Sequence, residues 1–328
     1  MGEITRVLIT GAAGFIGRST VTEAREAGLA VVALVRRAAP QDWAADPGIE
    51  VLRCDLADPD GVATLRTALS GVDTVIHAAA HLGGDADAHA VDTLTGTRTI
   101  LDAMTGSDAR RLVLVSSIAV YDTMTLRPGA ILTEACPLEP ENAARDPYVA
   151  GKLAQERLCR EAAARDGFGL WLMRPGAVFG PDRLWNAHLG VGLGPVLLRV
   201  GDTGEVPLCH IRRCGWALVK AAMTDPGGIR ALNVLDDDLP DRDRFLTAMR
   251  RSGWPRFVVP LHWKLLNSIA RALRRRSAHL PGLLREPVLR ARIMPLRYCN
   301  RAMRKALGGR QARTFEVLMA ASIAGGSR

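Results

Sequence analysis

Short apolar runs alternate with longer stretches of mixed polarity over the first 175 residues. The runs cover residues 6–10, 30–35, 51–55, 74–78, 112–116 and 170–174, and most are continuously apolar at their centres rather than alternating, with polar residues mostly at the ends. A strand with one wet face alternates apolar and polar residues, whereas a strand buried on both faces does not. Between the runs, residues 14–27, 59–69 and 88–104 carry helical spacing. Strands alternating with helices predict a parallel sheet covered on both faces, an α/β architecture. The pattern changes after Pro175. Residues 176–204 are glycine-rich with little periodicity, 213–224 read as a helix and 231–235 as a strand. From residue 241 onward the chain reads as mostly helical and arginine-rich.

The 328 residues suit one large lobe carrying a smaller one. The division predicted is residues 1–175 and 176–328, with the chain crossing back around 205–235. Apolar content of 48% is ample for a packed core. A strand follows Met1 almost at once and no apolar run approaches a membrane span, so the sequence predicts a cytoplasmic protein. The six cysteines are scattered without a Cys-x-x-Cys pair, which argues against a disulfide framework or a metal site.

Net charge is +9 but unevenly placed. Residues 251–313 hold 16 Lys plus Arg against one acid, Glu286, so the rest of the chain is net negative. Within that segment Leu261, Leu265, Leu266, Ile269 and Leu273 recur at helical spacing before Arg274-Arg275-Arg276, with Leu283-Leu284 and Val288-Leu289 beyond. Two readings stand. One is a surface helix making peripheral contact with an anionic membrane. The other, which is the plainer one, is a substrate-lobe helix with its apolar face packed and its arginines solvated; a subunit contact or an anionic-ligand site is a further alternative. No recognition motif accompanies the charge, which argues against nucleic acid.

Two motifs carry chemistry. Thr10-Gly11-Ala12-Ala13-Gly14-Phe15-Ile16-Gly17 follows the first strand and opens a helix. There the glycines allow a tight turn, close backbone approach to a pyrophosphate and close helix–strand packing. Strand two ends in Val35-Arg36-Arg37 with no acid. A carboxylate would repel a 2′-phosphate, whereas Arg36 can bind one, which favours NADP(H) over NAD(H). Alternatively both arginines are solvated loop residues and the site takes either cofactor. Asp55 is a candidate acceptor for the adenine amino group or a loop cap. Far downstream, Tyr148 and Lys152 stand one helical turn apart. A nearby ammonium would lower the phenol pKa and fit it for proton transfer. Alone, such a pair is common on helix surfaces.

The motifs together resemble the extended short-chain dehydrogenase/reductase family, also called the NAD-dependent epimerase/dehydratase family. The matching pieces are residues 10–17, Cys54-Asp55-Leu56, Val75-Ile76-His77-Ala78-Ala79-Ala80, Val115-Ser116-Ser117-Ile118-Ala119-Val120-Tyr121, Thr133-Glu134, residues 148–152, and Arg174-Pro175-Gly176-Ala177-Val178-Phe179-Gly180-Pro181. Weaker similarity continues through His210-Ile211 and Asn233-Val234. The resemblance implies a Rossmann-type doubly wound sheet with a smaller, mostly helical substrate lobe, and it makes a homodimer plausible. It implies that Ser117 hydrogen-bonds the reacting oxygen, that Tyr148 is the general acid/base, and that Lys152 also holds the nicotinamide ribose. It implies cofactor contacts from Gly11, Ala13, Gly14, Phe15, Ile16, Gly17, Asp55, Leu56, Ala78, Ala79, Ala80 and Pro175, with no metal.

Departures narrow the resemblance. Sugar 4,6-dehydratases carry Asp-Glu where this chain has Ile118-Ala119. Nucleotide-sugar members carry an arginine where Val206 stands, and an Asp-Asp where Arg212-Arg213 stand. The family's usual asparagine is Asp92 here. The glycine-rich stretch before His210 and the Val-Arg end of strand two are more similar to the dihydroflavonol reductase and hydroxysteroid dehydrogenase branches. The expected function is NAD(P)(H)-dependent reduction of a carbonyl, or oxidation of a secondary alcohol, on a small organic molecule. An epimerase that reduces and reoxidises its own NAD is the alternative. The intact Ser117, Tyr148 and Lys152 argue against a cofactor sensor without chemistry.

Overall fold

The apolar runs form seven strands of one parallel sheet: β1 (Arg6–Thr10), β2 (Ala30–Val35), β3 (Ile49–Arg53), β4 (Thr74–His77), β5 (Arg111–Val115), β6 (Gly169–Pro175) and β7 (Ile229–Val234). Their order across the sheet is β3-β2-β1-β4-β5-β6-β7. The computed structural model describes residues 4–83, 85–201, 203–275, 280, 282–309 and 313–326. Arg276, the last of the arginine run, lies outside the described residues.

Successive side chains along each strand enter opposite cores, because a strand alternates its faces. Val7, Ile9, Val31, Ala33, Val113, Val115, Trp171 and Met173 pack on one face with α1 (Phe15–Glu26), while Leu8, Val32, Leu34, Leu112, Leu114, Leu170 and Leu172 pack on the other with α2 (Gly61–Ala68), α3 (Gly96–Met104) and α4 (Pro147–Asp166). The first face is completed by α5 (Ile211–Met223), whose Cys214, Ala217, Leu218 and Ala221 are buried there. After β6 the chain leaves the sheet, then returns through α5 and β7, which pairs with β6 from Ile229↔Leu170 to Val234↔Pro175.

Several boundaries differ from the sequence expectation for identifiable reasons. Strand β3 begins at Ile49 and ends before Cys54, because the Asp55 carboxylate accepts from Ala57 N at 3.0 Å and turns the chain. The expected helix 88–104 is a π-helical stretch, His89–Thr95, before α3. There Thr95 Oγ1 donates to Ala90 O, five residues back, at 3.2 Å. The weakly periodic 176–204 region holds strands Ala177–Phe179, Gly190–Leu193 and Val196–Val200. The arginine-rich region is helical as expected over Arg242–Met249, Trp263–Ala272, Glu286–Ile293, Arg301–Leu307 and Phe315–Ala324. It also contains a strand, Phe257–Leu261, which pairs in parallel with 196–200. Leu261 therefore ends a strand and is not part of the helical stripe. Among the described residues no helix is long and apolar enough to cross a membrane.

A buried ionic cluster ties helix to sheet. Arg174 on β6 donates from Nε to Glu156 Oε1 at 2.8 Å and from Nη2 to Oε2 at 2.7 Å, and Ser116 Oγ donates to the same carboxylate at 2.6 Å. The third guanidinium nitrogen donates to the Tyr121 hydroxyl at 2.9 Å, which donates to Asn233 Oδ1 at 2.7 Å. Burial pushes the Glu156 pKa up, but Arg174, Ser116 and Arg160 together hold it below its ordinary value. Replacing Glu156 with Gln leaves the Arg174 charge buried without its partner. The expected cost is roughly 3 kcal/mol of unfolding free energy, read by urea denaturation. A loss below about 1 kcal/mol would show that the pair does not couple α4 to the sheet.

Candidate active site

Strand order reverses between β1 and β4, and in a doubly wound sheet the crevice at that point, beyond the carboxyl ends of the strands, is where ligands bind. The site residues named by the sequence lie along this edge. Gly11 follows β1, Arg36 follows β2, Asp55 and Leu56 follow β3, Ala78, Ala79 and Ala80 follow β4, Ser117 follows β5, and Pro175 ends β6.

The glycine loop is shaped by close approach. Gly11 has φ +62°, and a Cβ there would stand 2.9 Å from the Cα and N of Ala79. At Gly17 a Cβ would overlap the Gly11 carbonyl and the Ala12 backbone. Helix α1 starts at Phe15 with no side-chain cap on Gly14 and no acid in its first turn. Its leading N–H groups and the positive end of its dipole therefore face the crevice without a competing anion. Ala13 and Gly14 are exposed on the loop, and Phe15 and Ile16 are half-buried behind them. The residues present fit a dinucleotide pyrophosphate.

Beneath the crevice runs a chain of buried hydrogen bonds whose direction can be worked out. Thr97 Oγ1 donates its one proton to Thr93 O at 2.6 Å. It must then accept from His77 Nε2 at 3.1 Å and from Gln155 Nε2 at 2.9 Å. This fixes the His77 tautomer, so His77 Nδ1 accepts from Thr10 Oγ1 at 2.7 Å. Thr10 Oγ1 in turn accepts from the backbone N–H groups of Ala78 and Ala79, at 3.2 and 3.1 Å. Burial, with Lys152 adding to it, pulls the His77 pKa down to about 3, so the ring stays neutral. The network holds the residue 78–80 strand end against the glycine loop.

Lys152 closes the network on the other side. It is 4% exposed, and Nζ donates to Val115 O at 2.7 Å and Gln155 Oε1 at 3.0 Å. An ammonium has three N–H groups, so one remains for a ligand oxygen. Burial pulls its pKa down to about 8 against the raising effect of Glu156, which leaves it mostly charged at neutral pH.

Tyr148 sits in the first turn of α4, where Pro147 occupies the opening position and Asp146 caps the helix by accepting from Val149 N at 2.9 Å. Burial pushes the phenol pKa above its ordinary value, and a hydrogen bond from Ser117 is the largest opposing effect. The cation that helps lower it is Arg145. Lys152, expected to do so, directs its Nζ to Val115 O and Gln155 Oε1. Ser117 is nearly buried, and its Oγ accepts from Ala119 N at 3.1 Å, which leaves its proton for the phenol oxygen.

Tyr148 opens onto a cavity of about 140 Å³ that Thr123, Asp146, His188, Arg292 and Tyr298 help to line. Thr123 Oγ1 is buried there without a hydrogen-bond partner. Sequence reasoning missed this wall, since its residues come from four separated segments. It also missed Gln155 and Glu156, although their spacing of three and four from Lys152 places them on its helix face.

The remaining named residues fall as follows. Asp55 Oδ1 caps its own loop, as one of its two readings held. Arg36 is exposed, and its Nη1 lies 3.2 Å from Asp92 Oδ1, which gives Asp92 a partner that the sequence did not disclose. Arg174 is consumed by Glu156 and Tyr121. Val206 is fully buried and apolar, Arg212 pairs with Glu23 and Glu26 at 2.9 and 2.5 Å, and Arg213 lies over Trp216. Among the described residues no group of three or more His, Cys, Asp or Glu could hold a metal ion.

Comparison with known proteins is consistent with this geometry. The model of the NAD dependent epimerase/dehydratase family matches residues 7–191. Cinnamoyl-CoA reductase 1 of Oryza sativa subsp. japonica is 33% identical over 190 residues, 55% of each chain. A 4-hydroxy-2-methyl-3-oxo-4-farnesyl-3,4-dihydroquinoline-1-oxide ketoreductase of Stigmatella aurantiaca is 29% identical over 229 residues, 68% of this chain and 66% of that one. The chain thus spans about half the length of the first curated relatives it matches. In fold it is similar to UDP-glucuronic acid 4-epimerase from Bacillus cereus, solved with NAD, with a TM-score of 0.73, 19% identity and 98% of both chains covered.

Proposed function

This chain belongs to the NAD dependent epimerase/dehydratase family, and from that premise we propose that it is an NAD(P)(H)-dependent oxidoreductase that reduces a carbonyl, or oxidises the matching secondary alcohol, on a small organic molecule. The observation that carries the reading is the phenol of Tyr148. It is kept protonated by burial, with Ser117 opposing that shift, and it lines a cavity of about 140 Å³.

A bound nicotinamide supplies or accepts the hydride. Everything else is the work of the chain. Residues 1–175, with the returning 211–234, form the cofactor lobe, and the rest forms the substrate lobe. Gly11, Ala13, Gly14, Phe15, Ile16 and Gly17 bind pyrophosphate, Asp55 and Leu56 flank the adenine, and Ala78, Ala79, Ala80 and Pro175 line the path to the nicotinamide. The free N–H of Lys152 holds the ribose. Ser117 and Tyr148 grip the substrate oxygen. Tyr148 donates its proton to that oxygen in reduction and removes it in oxidation. Its raised pKa keeps the phenol protonated at neutral pH, the form that reduction requires, although it makes the phenol a weaker acid.

A reductase fits better than a nucleotide-sugar epimerase. The cavity of about 140 Å³ is small beside the several hundred Å³ usual for ligand pockets. Val206, Arg212 and Arg213 are committed elsewhere, so none of them meets a diphosphate. Replacing Tyr148 with Phe removes the transferable proton and keeps the ring. Steady-state assays should show kcat lower by about 10²-fold or more, while fluorescence titration shows nucleotide affinity little changed. Near-normal turnover would refute the assignment.

NADP(H) is the preferred cofactor in this proposal. Arg36 stands exposed at the end of β2 as the cation for a 2′-phosphate, against the repulsion of the Asp92 carboxylate 3.2 Å from its guanidinium. Arg36→Asp should weaken NADPH binding about ten-fold or more and leave NADH binding nearly unchanged. Equal losses for both nucleotides would reject this role.

A further inference from the structure

We propose that the outer face of the three-stranded sheet together with helix Trp263–Ala272 is a docking surface for an anionic lipid bilayer.

Strands 190–193, 196–200 and 257–261 form a small sheet with one face in the core; the other face is open over its first rows and is covered at Val200, which is buried in one cluster with Trp263. Directly opposed residues point to the same side of a sheet. Leu193, Val196 and Phe257 form one such row, and Val191, Leu198 and Val259 the next. The residues between these rows, Leu197 and Val258, pack inward with Phe245 and Met249. The outward rows are apolar yet open, with Phe257 59% and Leu193 56% exposed. Such a face normally finds a covering partner.

The helix that follows extends the same character. Trp263 and Ala270 are buried, so the opposite side of the helix faces out. At about 100° per residue, that side carries Leu265, Ile269 and Ala272 at spacings of four and three. Leu265 is 63% exposed and Ile269 41%. Lys264 and Arg271, seven apart, line one flank of the stripe. Leu266 and Leu273 are half-buried, and Leu283, Val288 and Leu289 are buried, so only part of the apolar sequence pattern is committed to the core.

Charge selects the partner. From residue 244 to 285 the sequence has ten Lys or Arg and no acid. Among the described residues Arg256, Lys264, Arg274 and Arg275 form no ion pair, and the nearest acid to Arg271 is Glu286 at 3.8 Å. A second copy meeting this face about a two-fold axis would set cation against cation. Nucleic acid would answer the charge but not the open Leu, Ile and Phe side chains. A bilayer with anionic headgroups answers both. Apolar residues enter the acyl boundary while flanking cations reach the headgroups.

The test is flotation of the full chain with vesicles of phosphatidylcholine alone and of phosphatidylcholine mixed with phosphatidylglycerol. Binding is expected on the mixed vesicles only, and it should fade as salt is raised. Lys264→Gln with Arg271→Gln should weaken it about 30-fold, from about five-fold per cation. Leu265→Glu with Ile269→Glu should abolish it, while thermal unfolding stays that of the parent, since both side chains are exposed. Three results would overturn the proposal: no binding to mixed vesicles, binding that survives the two glutamates, or a dimer in sedimentation velocity that those glutamates dissociate.

Discussion

The site depends on one constraint, the burial of a polar face of helix α4 against the carboxyl end of the sheet. Lys152, Gln155 and Glu156 are each nearly or fully buried. Charged and amide groups are costly in such a place unless hydrogen-bond partners replace most of the water they lose. Glu156 is met by Arg174 and Ser116, Gln155 by Thr97 and Lys152, and Lys152 by the Val115 carbonyl. These bonds fix the rotation and height of the helix relative to β5 and β6. Tyr148, one turn before Lys152, is thereby held beside Ser117. Removing a partner from this face costs more than the bond itself, because the remaining group cannot reach water.

The same burial sets the electrostatics. It keeps His77 neutral, draws Lys152 down to about 8, and pushes Tyr148 up. The result is a mostly charged ammonium one helical turn from a protonated phenol, in a crevice whose other wall is an uncapped helix N-terminus. An anionic dinucleotide suits that crevice electrostatically: it brings negative charge to the helix end and an oxygen to the free N–H of Lys152. The small cavity on the far side of Tyr148 gives the reacting part of a substrate little freedom, which helps bring reacting atoms together.

Much of this was legible in the sequence because it rests on local rules. Continuous apolar runs marked the buried strands, and glycines that no other residue can replace marked the loop at Gly11 and Gly17. What escaped was set by tertiary contact. Residues 257–261 lie in a segment dominated by arginine, and their strand exists through pairing with 196–200. The π-helical stretch 89–95 is shaped by threonine side chains bonding back to the backbone. Asp92 acquires its partners only in the fold, beside Arg36, 56 residues earlier, and near His81. The cavity wall assembles Thr123, His188, Arg292 and Tyr298 from segments whose spacing in the chain carries no periodic signal.

The central claim is that this crevice uses an exchangeable nucleotide to reduce or oxidise a substrate with net turnover. Denaturing freshly purified protein and identifying any released nucleotide by mass spectrometry tests it most directly. The account predicts a largely empty site that then binds added NADPH more tightly than NADH. Stoichiometric release of tightly held NAD would contradict it, and would point instead to a self-contained epimerase.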